Sequence, residues 1–204
     1  MIAQSVKRMT SEEYLDFERA SSERHEFVNG EVFLMAGALI EHTTITFNVG
    51  ASLHSQLRPT SCRVVGMDTK VRIRVRDYVY PDLIVVCGEP QFHDNKRDVL
   101  LNPTVIIEIL SASTEAYDRG AKFASYRAVP SVQEYILIAQ DRPRIEQYIR
   151  QDGEIWQFRT ADGLDAAINL PSIGARLLLA DVFERVTFEP EPDDESASLD
   201  LTSP

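Results

Sequence analysis

Cysteine is scarce in this chain of 204 residues, with only Cys62 and Cys87 present. Their spacing fits no zinc or redox pattern, and the chain has no disulfide framework of the kind that staples small secreted domains. Long apolar runs are missing too. None approaches the roughly 20 residues that a membrane helix needs, so no membrane association is expected. The segment from Met1 to Lys7 lacks the apolar stretch of a signal peptide, and a reducing cytoplasmic setting is the expectation. There is no Gly-rich phosphate loop, no nucleophile-elbow pattern and no His/Cys cluster, so P-loop, serine-hydrolase and zinc chemistry have little support.

Positive charge is also short. Lys and Arg number 21 against 32 Asp and Glu, for a net charge of −11. Part of that deficit is local. Residues 189–204 hold Glu189, Glu191, Asp193, Asp194, Glu195 and Asp200 and no Lys or Arg; subtracting those six from −11 leaves −5 for the body. This acidic, Pro-containing, aromatic-poor stretch is expected to be a disordered tail behind a single domain over residues 1–188. A moderately acidic body does not favour tight non-specific binding to nucleic acid, although metal-binding carboxylates would contribute to the same total.

What is present alternates between helical and strand-like patterns. Thr10-Ser11-Glu12-Glu13 fits a capping box that opens a helix to about Ala20. Asn29-Gly30 between two apolar runs predicts a β-hairpin, because both turn residues need positive φ. Ile45, Val49, Leu53 and Leu57 line one face of a helix over 41–57. Strands are expected over 63–65, 69–76, 79–87 and 104–110. A hydroxyl-rich turn and a helix over 115–128 follow, then strands over 132–139, 144–150 and 154–159. The middle of the chain therefore reads helix, three strands, helix, strand. The fold class is a mixed α/β domain with a central mixed sheet flanked by helices, plus the N-terminal helix and hairpin.

Two carboxylates stand out from this pattern. Asp82 precedes the apolar run Leu83-Ile84-Val85-Val86 and by alternation shares its side with Ile84 and Val86. Glu108 sits inside Val105-Ile106-Ile107-Glu108-Ile109-Leu110 and shares its side with Ile106 and Leu110. An ionised carboxylate there costs several kcal/mol unless something compensates it. Asp82 could satisfy local backbone N–H groups, and Glu108 could pair with an Arg or reach solvent. A divalent cation shared by both accounts for the pair together, and hard oxygen ligands with room for water point to Mg²⁺ or Mn²⁺.

An ordered set of motifs extends this pair. Tyr80-Pro81-Asp82-Leu83-Ile84-Val85-Val86, Ile107-Glu108-Ile109-Leu110-Ser111-Ala112-Ser113-Thr114, and Asp118 with Lys122 resemble the Uma-two-type restriction endonuclease family. So do Glu26, Gly30-Glu31 and His42 upstream and Glu134-Tyr135 downstream. The resemblance runs from the first helix to Trp156, and the family is similar to a branch of the PD-(D/E)XK nuclease superfamily. It implies a restriction-endonuclease-like core and a Mg²⁺-dependent endonuclease acting on nucleic acid, DNA in the first place. Asp82 and Glu108 would be metal ligands and catalytic residues, with Glu31 and His42 as accessory candidates. The superfamily pattern places Lys two residues after the Glu, where Leu110 stands here. Lys122 is the expected substitute, against the plainer reading of an exposed i,i+4 pair with Asp118.

Substrate binding would need a basic surface. Lys70, Arg72, Arg74 and Arg76 alternate along one strand, so all four are expected on one face, either tracking a phosphate backbone or guarding a sheet edge. Nucleases of this type often pair as homodimers, for which a hairpin over 144–159 offers an interface. Two competing readings stay open: a nuclease-fold interaction module without catalysis, and a metal-dependent hydrolase of a small phosphorylated substrate.

Overall fold

The computed structural model of the chain describes residues 5–35, 37–66, 68–152 and 154–188. The expected tail over 189–204 lies outside the described residues. The N-terminal region forms β1 (Ser5–Arg8), α1 (Ser11–Ala20), β2 (His25–Val28) and β3 (Glu31–Leu34). At the start of α1, Thr10 Oγ1 accepts from the Glu13 N–H at 3.3 Å and Glu13 Oε2 accepts from the Thr10 N–H at 2.8 Å, the reciprocal capping the sequence predicts. Asn29 and Gly30 take φ of 53° and 81° and turn β2 into β3.

Next come α2 (Ile40–Leu57), β4 (Cys62–Val65), β5 (Lys70–Arg74), β6 (Asp77–Val79), β7 (Leu83–Cys87), β8 (Val99–Leu100) and β9 (Val105–Leu110). The helical segment after β9 has three parts: α3 (Glu115–Tyr117), a π-helical turn over Asp118–Lys122, and α4 (Phe123–Arg127). The chain continues as β10 (Glu134–Ala139), β11 (Arg144–Arg150), β12 (Trp156–Asp162), β13 (Ala167–Leu170), β14 (Ala175–Leu178) and α5 (Leu179–Val182).

Among the described residues the expected single central sheet is two six-stranded sheets and a β13–β14 ribbon. The first sheet runs β1-β3-β2-β6-β5-β8 and the second β12-β11-β10-β9-β7-β4. Both are mixed, with β5–β8 and β9–β10 parallel. The order helix, three strands, helix, strand belongs to the second sheet and its helices: α2, then β4, β7 and β9, then α3 to α4, then β10.

The predicted strand over 79–87 divides because Tyr80-Pro81-Asp82 carries the chain from one sheet to the other. Pro81 has no N–H to offer a ladder. Asp82 uses its side chain instead, with Oδ2 accepting the Ile109 N–H at 2.8 Å. The strand predicted over 69–76 stops at Arg74, after an irregularity in its register between Arg72 and Arg74.

The second sheet is covered on both faces. On one side Ile45, Val49, Leu53 and Leu57 of α2 pack on Leu83, Val85, Val105, Ile107 and Ile109, with β13, β14 and α5 completing the layer. On the other, Ile84, Val86, Ile106 and Leu110 meet Tyr126 of α4 together with Val71, Ile73, Val79 and Leu100 of the first sheet. This second layer is where the unusual carboxylates emerge.

The cysteines depart from expectation. Cys62 and Cys87 lie opposite each other in the β4–β7 register and form a disulfide. Strand pairing brings together two residues whose sequence spacing signals nothing, and the scarcity of cysteine no longer argues for a reducing compartment. Among the described residues no helix is long and apolar enough to cross a membrane.

Candidate active site

In the antiparallel β7–β9 pair Leu83 stands opposite Ile107. One step further along, that register sets Asp82 opposite Glu108. Both belong to the face that turns towards α4 and the first sheet, as alternation from Ile84 and Ile106 requires. Asp82 Oδ2 takes the Ile109 N–H, the backbone role the plainer reading allows for, and lies 3.3 Å from His42 Nε2 in the first turn of α2. No hydrogen bond from the described residues reaches Asp82 Oδ1.

Glu108 is 3 % exposed. Its Oε1 accepts from the Tyr126 hydroxyl at 2.9 Å and lies 2.9 Å from Lys122 Nζ. Burial pushes its carboxyl well above the usual carboxylate range, Lys122 pulls the other way, and the charges of Asp118 and Asp82 add to the rise.

Lys122 is 6 % exposed, so the reading of an exposed pair does not describe it. Its ammonium lies among three carboxylates: Glu108 at 2.9 Å, Glu26 at 3.4 Å and Asp118 at 3.5 Å. Burial alone would push the ammonium down, but Glu108 and Glu26 outweigh it and hold Lys122 well above its ordinary value. The π-helical turn contributes both Asp118 and Lys122 to this group; such turns inside helices recur at functional sites. Tyr135 fixes the turn from β10 by donating its hydroxyl to the Asp118 carbonyl at 3.0 Å. Burial raises the Asp118 carboxyl.

The structure thus brings Asp82, Glu108, Lys122 and His42 together. Glu31, the other accessory candidate, is elsewhere: it pairs with Arg8 at 2.8 Å on the outer side of the hairpin. Glu26 and Asp118 enter as landmarks of the motif and turn out to touch Lys122. A short alternating strand gives Glu26 no sequence signal of its own, since a charged residue at every second position is ordinary there. Tyr126 was not foreseen, and its ring alone predicts a core residue.

The basic row is not an open surface along its length. Lys70 is buried, 3.1 Å from Asp98 and donating to the Tyr80 hydroxyl at 3.3 Å, because β8 covers its end of β5. Arg72 Nη1 lies 3.2 Å from His93 Nδ1, Arg74 lies 3.8 Å from Asp77, and Arg76 is exposed in the turn after the strand.

Asp82 and Glu108 are the residues that could hold a hard cation here. Asp82 Oδ2 and Glu108 Oε1 take the protein partners, and among the described residues no hydrogen bond reaches the second oxygen of either carboxylate. Among the described residues no group of three or more His, Cys, Asp or Glu side chains is arranged as a metal cage. Two carboxylates supplemented by water are the pattern of Mg²⁺ rather than of zinc or Ca²⁺.

Comparison with known proteins adds ancestry to this geometry. A curated protein of Synechocystis sp., "Uncharacterized protein sll1609", is 34% identical over 169 residues, covering 82% of this chain and 96% of its own. A second from the same organism, "Uncharacterized protein slr1290", is 30% identical over 183 residues, covering 89% and 94%. A crystal structure of a "putative nuclease belonging to DUF820" from Anabaena variabilis superposes with a TM-score of 0.71 at 19% identity, covering 86% of this chain and 97% of that one. At that identity it speaks for a shared fold. The family model described as "Uma2: Putative restriction endonuclease" matches residues 11–180, and the chain belongs to that family.

Proposed function

We propose that this protein is a Mg²⁺-dependent endonuclease that hydrolyses phosphodiester bonds in nucleic acid, DNA in the first place. The observation that carries the reading is the pairing of Asp82 with Glu108 on adjoining strands, with a buried ammonium 2.9 Å from one of them. Family membership supports it. Asp82 and Glu108 would hold Mg²⁺ or Mn²⁺ through their second oxygens. The ion supplies Lewis acidity and a water of lowered pKa. The chain supplies the rest. The Ile109 N–H and His42 fix the Asp82 carboxylate, Tyr126 fixes Glu108, and Lys122 brings positive charge to where negative charge grows on the phosphoryl oxygens. Leu110, where the superfamily has its lysine, is buried in the core, so an ammonium from the following helix fills that need.

Cleavage of mixed nucleic-acid substrates with Mg²⁺, Mn²⁺ or EDTA tests the proposal. Wild-type protein should cut only with a divalent cation, and Asp82→Asn and Glu108→Gln should each abolish cutting while circular dichroism shows the fold intact. Full activity in either variant refutes the mechanism. A folded wild type that never cuts leaves the nuclease-fold interaction module as the better reading.

A further inference from the structure

Lys122 has a problem in the metal-bound state. Without metal its ammonium is the counter-ion of Glu108, at 2.9 Å. A divalent cation held by Glu108 and Asp82 would compete for the same carboxylate and repel the ammonium at short range. Lys122 cannot retreat into water, being 6 % exposed. Its two other acceptors within reach are Glu26 at 3.4 Å and Asp118 at 3.5 Å.

These two differ. Asp118 lies on the same π-helical turn as Lys122, 3.5 Å from its ammonium. Glu26 comes from β2 of the first sheet. Its Oε1 already accepts the Tyr80 N–H at 3.1 Å and lies 3.4 Å from Lys122 Nζ, so it is anchored and needs little movement to take the ammonium over. The same hydrogen bond ties it to the segment that presents Asp82, two residues beyond Tyr80.

We propose that Glu26 is the alternative seat for the Lys122 ammonium, receiving it from Glu108 when a divalent cation binds and so setting the affinity for that cation. Glu26 acts through Lys122 and is a positioning residue, not a metal ligand. The inference rests on the reading that Asp82 and Glu108 hold Mg²⁺.

Isothermal calorimetry of the full chain with MgCl₂ tests it without any cleavage assay. Glu26→Gln should weaken Mg²⁺ binding on the order of tenfold, a shift of one decade in Kd. Lys122→Met, which removes the competing ammonium, should bind Mg²⁺ more tightly than wild type. Adding Glu26→Gln to Lys122→Met should then change little, the non-additivity expected of two residues acting as a unit. An equal loss from Glu26→Gln in both backgrounds would make Glu26 a ligand or a mere structural support and overturns the inference, as does weaker binding by Lys122→Met. Should Glu26→Gln not fold, Glu26→Asp decides. Its carboxylate is drawn back by about 1.5 Å, so Mg²⁺ binding should weaken several-fold, and wild-type affinity rejects the role. Wild-type protein that binds no Mg²⁺ removes the proposed function as well, whereas wild-type binding with indifference to Glu26 removes only this inference.

Discussion

Glu108 sits where a β-branched strand meets Tyr126 and Lys122, and its burial governs how the site answers to pH. Its carboxyl is pushed well above the ordinary 4.5 in the folded state. A value raised by folding contributes stability that is complete below the unfolded pKa and lost as pH climbs through the folded one. With EDTA present, the urea midpoint of the wild type should therefore fall as pH rises above the ordinary carboxylate range, and Glu108→Gln should lose that slope. A slope that persists in the variant would assign it to another group. Tyr126→Phe removes the 2.9 Å hydrogen bond to Glu108 Oε1 and should cost on the order of 1–3 kcal/mol in the same measurement at neutral pH. Asp82 and Glu108 are conspicuous in the sequence because a charge inside an apolar strand contradicts the cost of burying it. Glu26 is not, since its importance comes from a neighbour 96 residues away and nothing local records that distance.

Among the elements, capped or periodic segments follow their sequence signals closely. The capping box at Thr10 and the Asn29-Gly30 hairpin form where local chemistry places them. Departures occur where tertiary partners decide. The strand expected over 79–87 breaks where the chain passes from one sheet to the other, and Lys70 is buried because Asp98 and β8 enclose it. Asp98 also accepts Arg19 Nε at 3.1 Å and Arg19 Nη2 at 2.9 Å, joining α1 to β5. Burial pushes its carboxyl up, but Arg19 and Lys70 prevail and hold it at about 2. A depressed value contributes stability above the ordinary 3.8 that is lost as pH falls through about 2. Asp98→Asn should be less stable than wild type near neutrality, and the gap should close as pH drops from about 4 towards about 2. Unfolding curves collected across that range check it, and a constant gap would indicate lost packing instead.

At the scale of the whole molecule, the Cys62–Cys87 bond fastens the terminal strand β4 to β7 across 25 residues of sequence. Reduction, or replacement of both cysteines by serine, should lower stability by about 2–4 kcal/mol, read from urea curves with and without reductant. An unchanged midpoint would show that strand pairing and the α2 layer suffice on their own. Sequence patterns give the order of helices and strands in the second sheet, but the division into two sheets is beyond them, because alternation says which residues share a side and not which strands become neighbours. That division has a practical outcome for the living chain. The first sheet holds Glu26 and the second Glu108, and Tyr80-Pro81-Asp82 is the seam between them. A molecule whose hairpin has come away would keep Glu108 and Asp118 beside Lys122 and lose the third carboxylate around that ammonium.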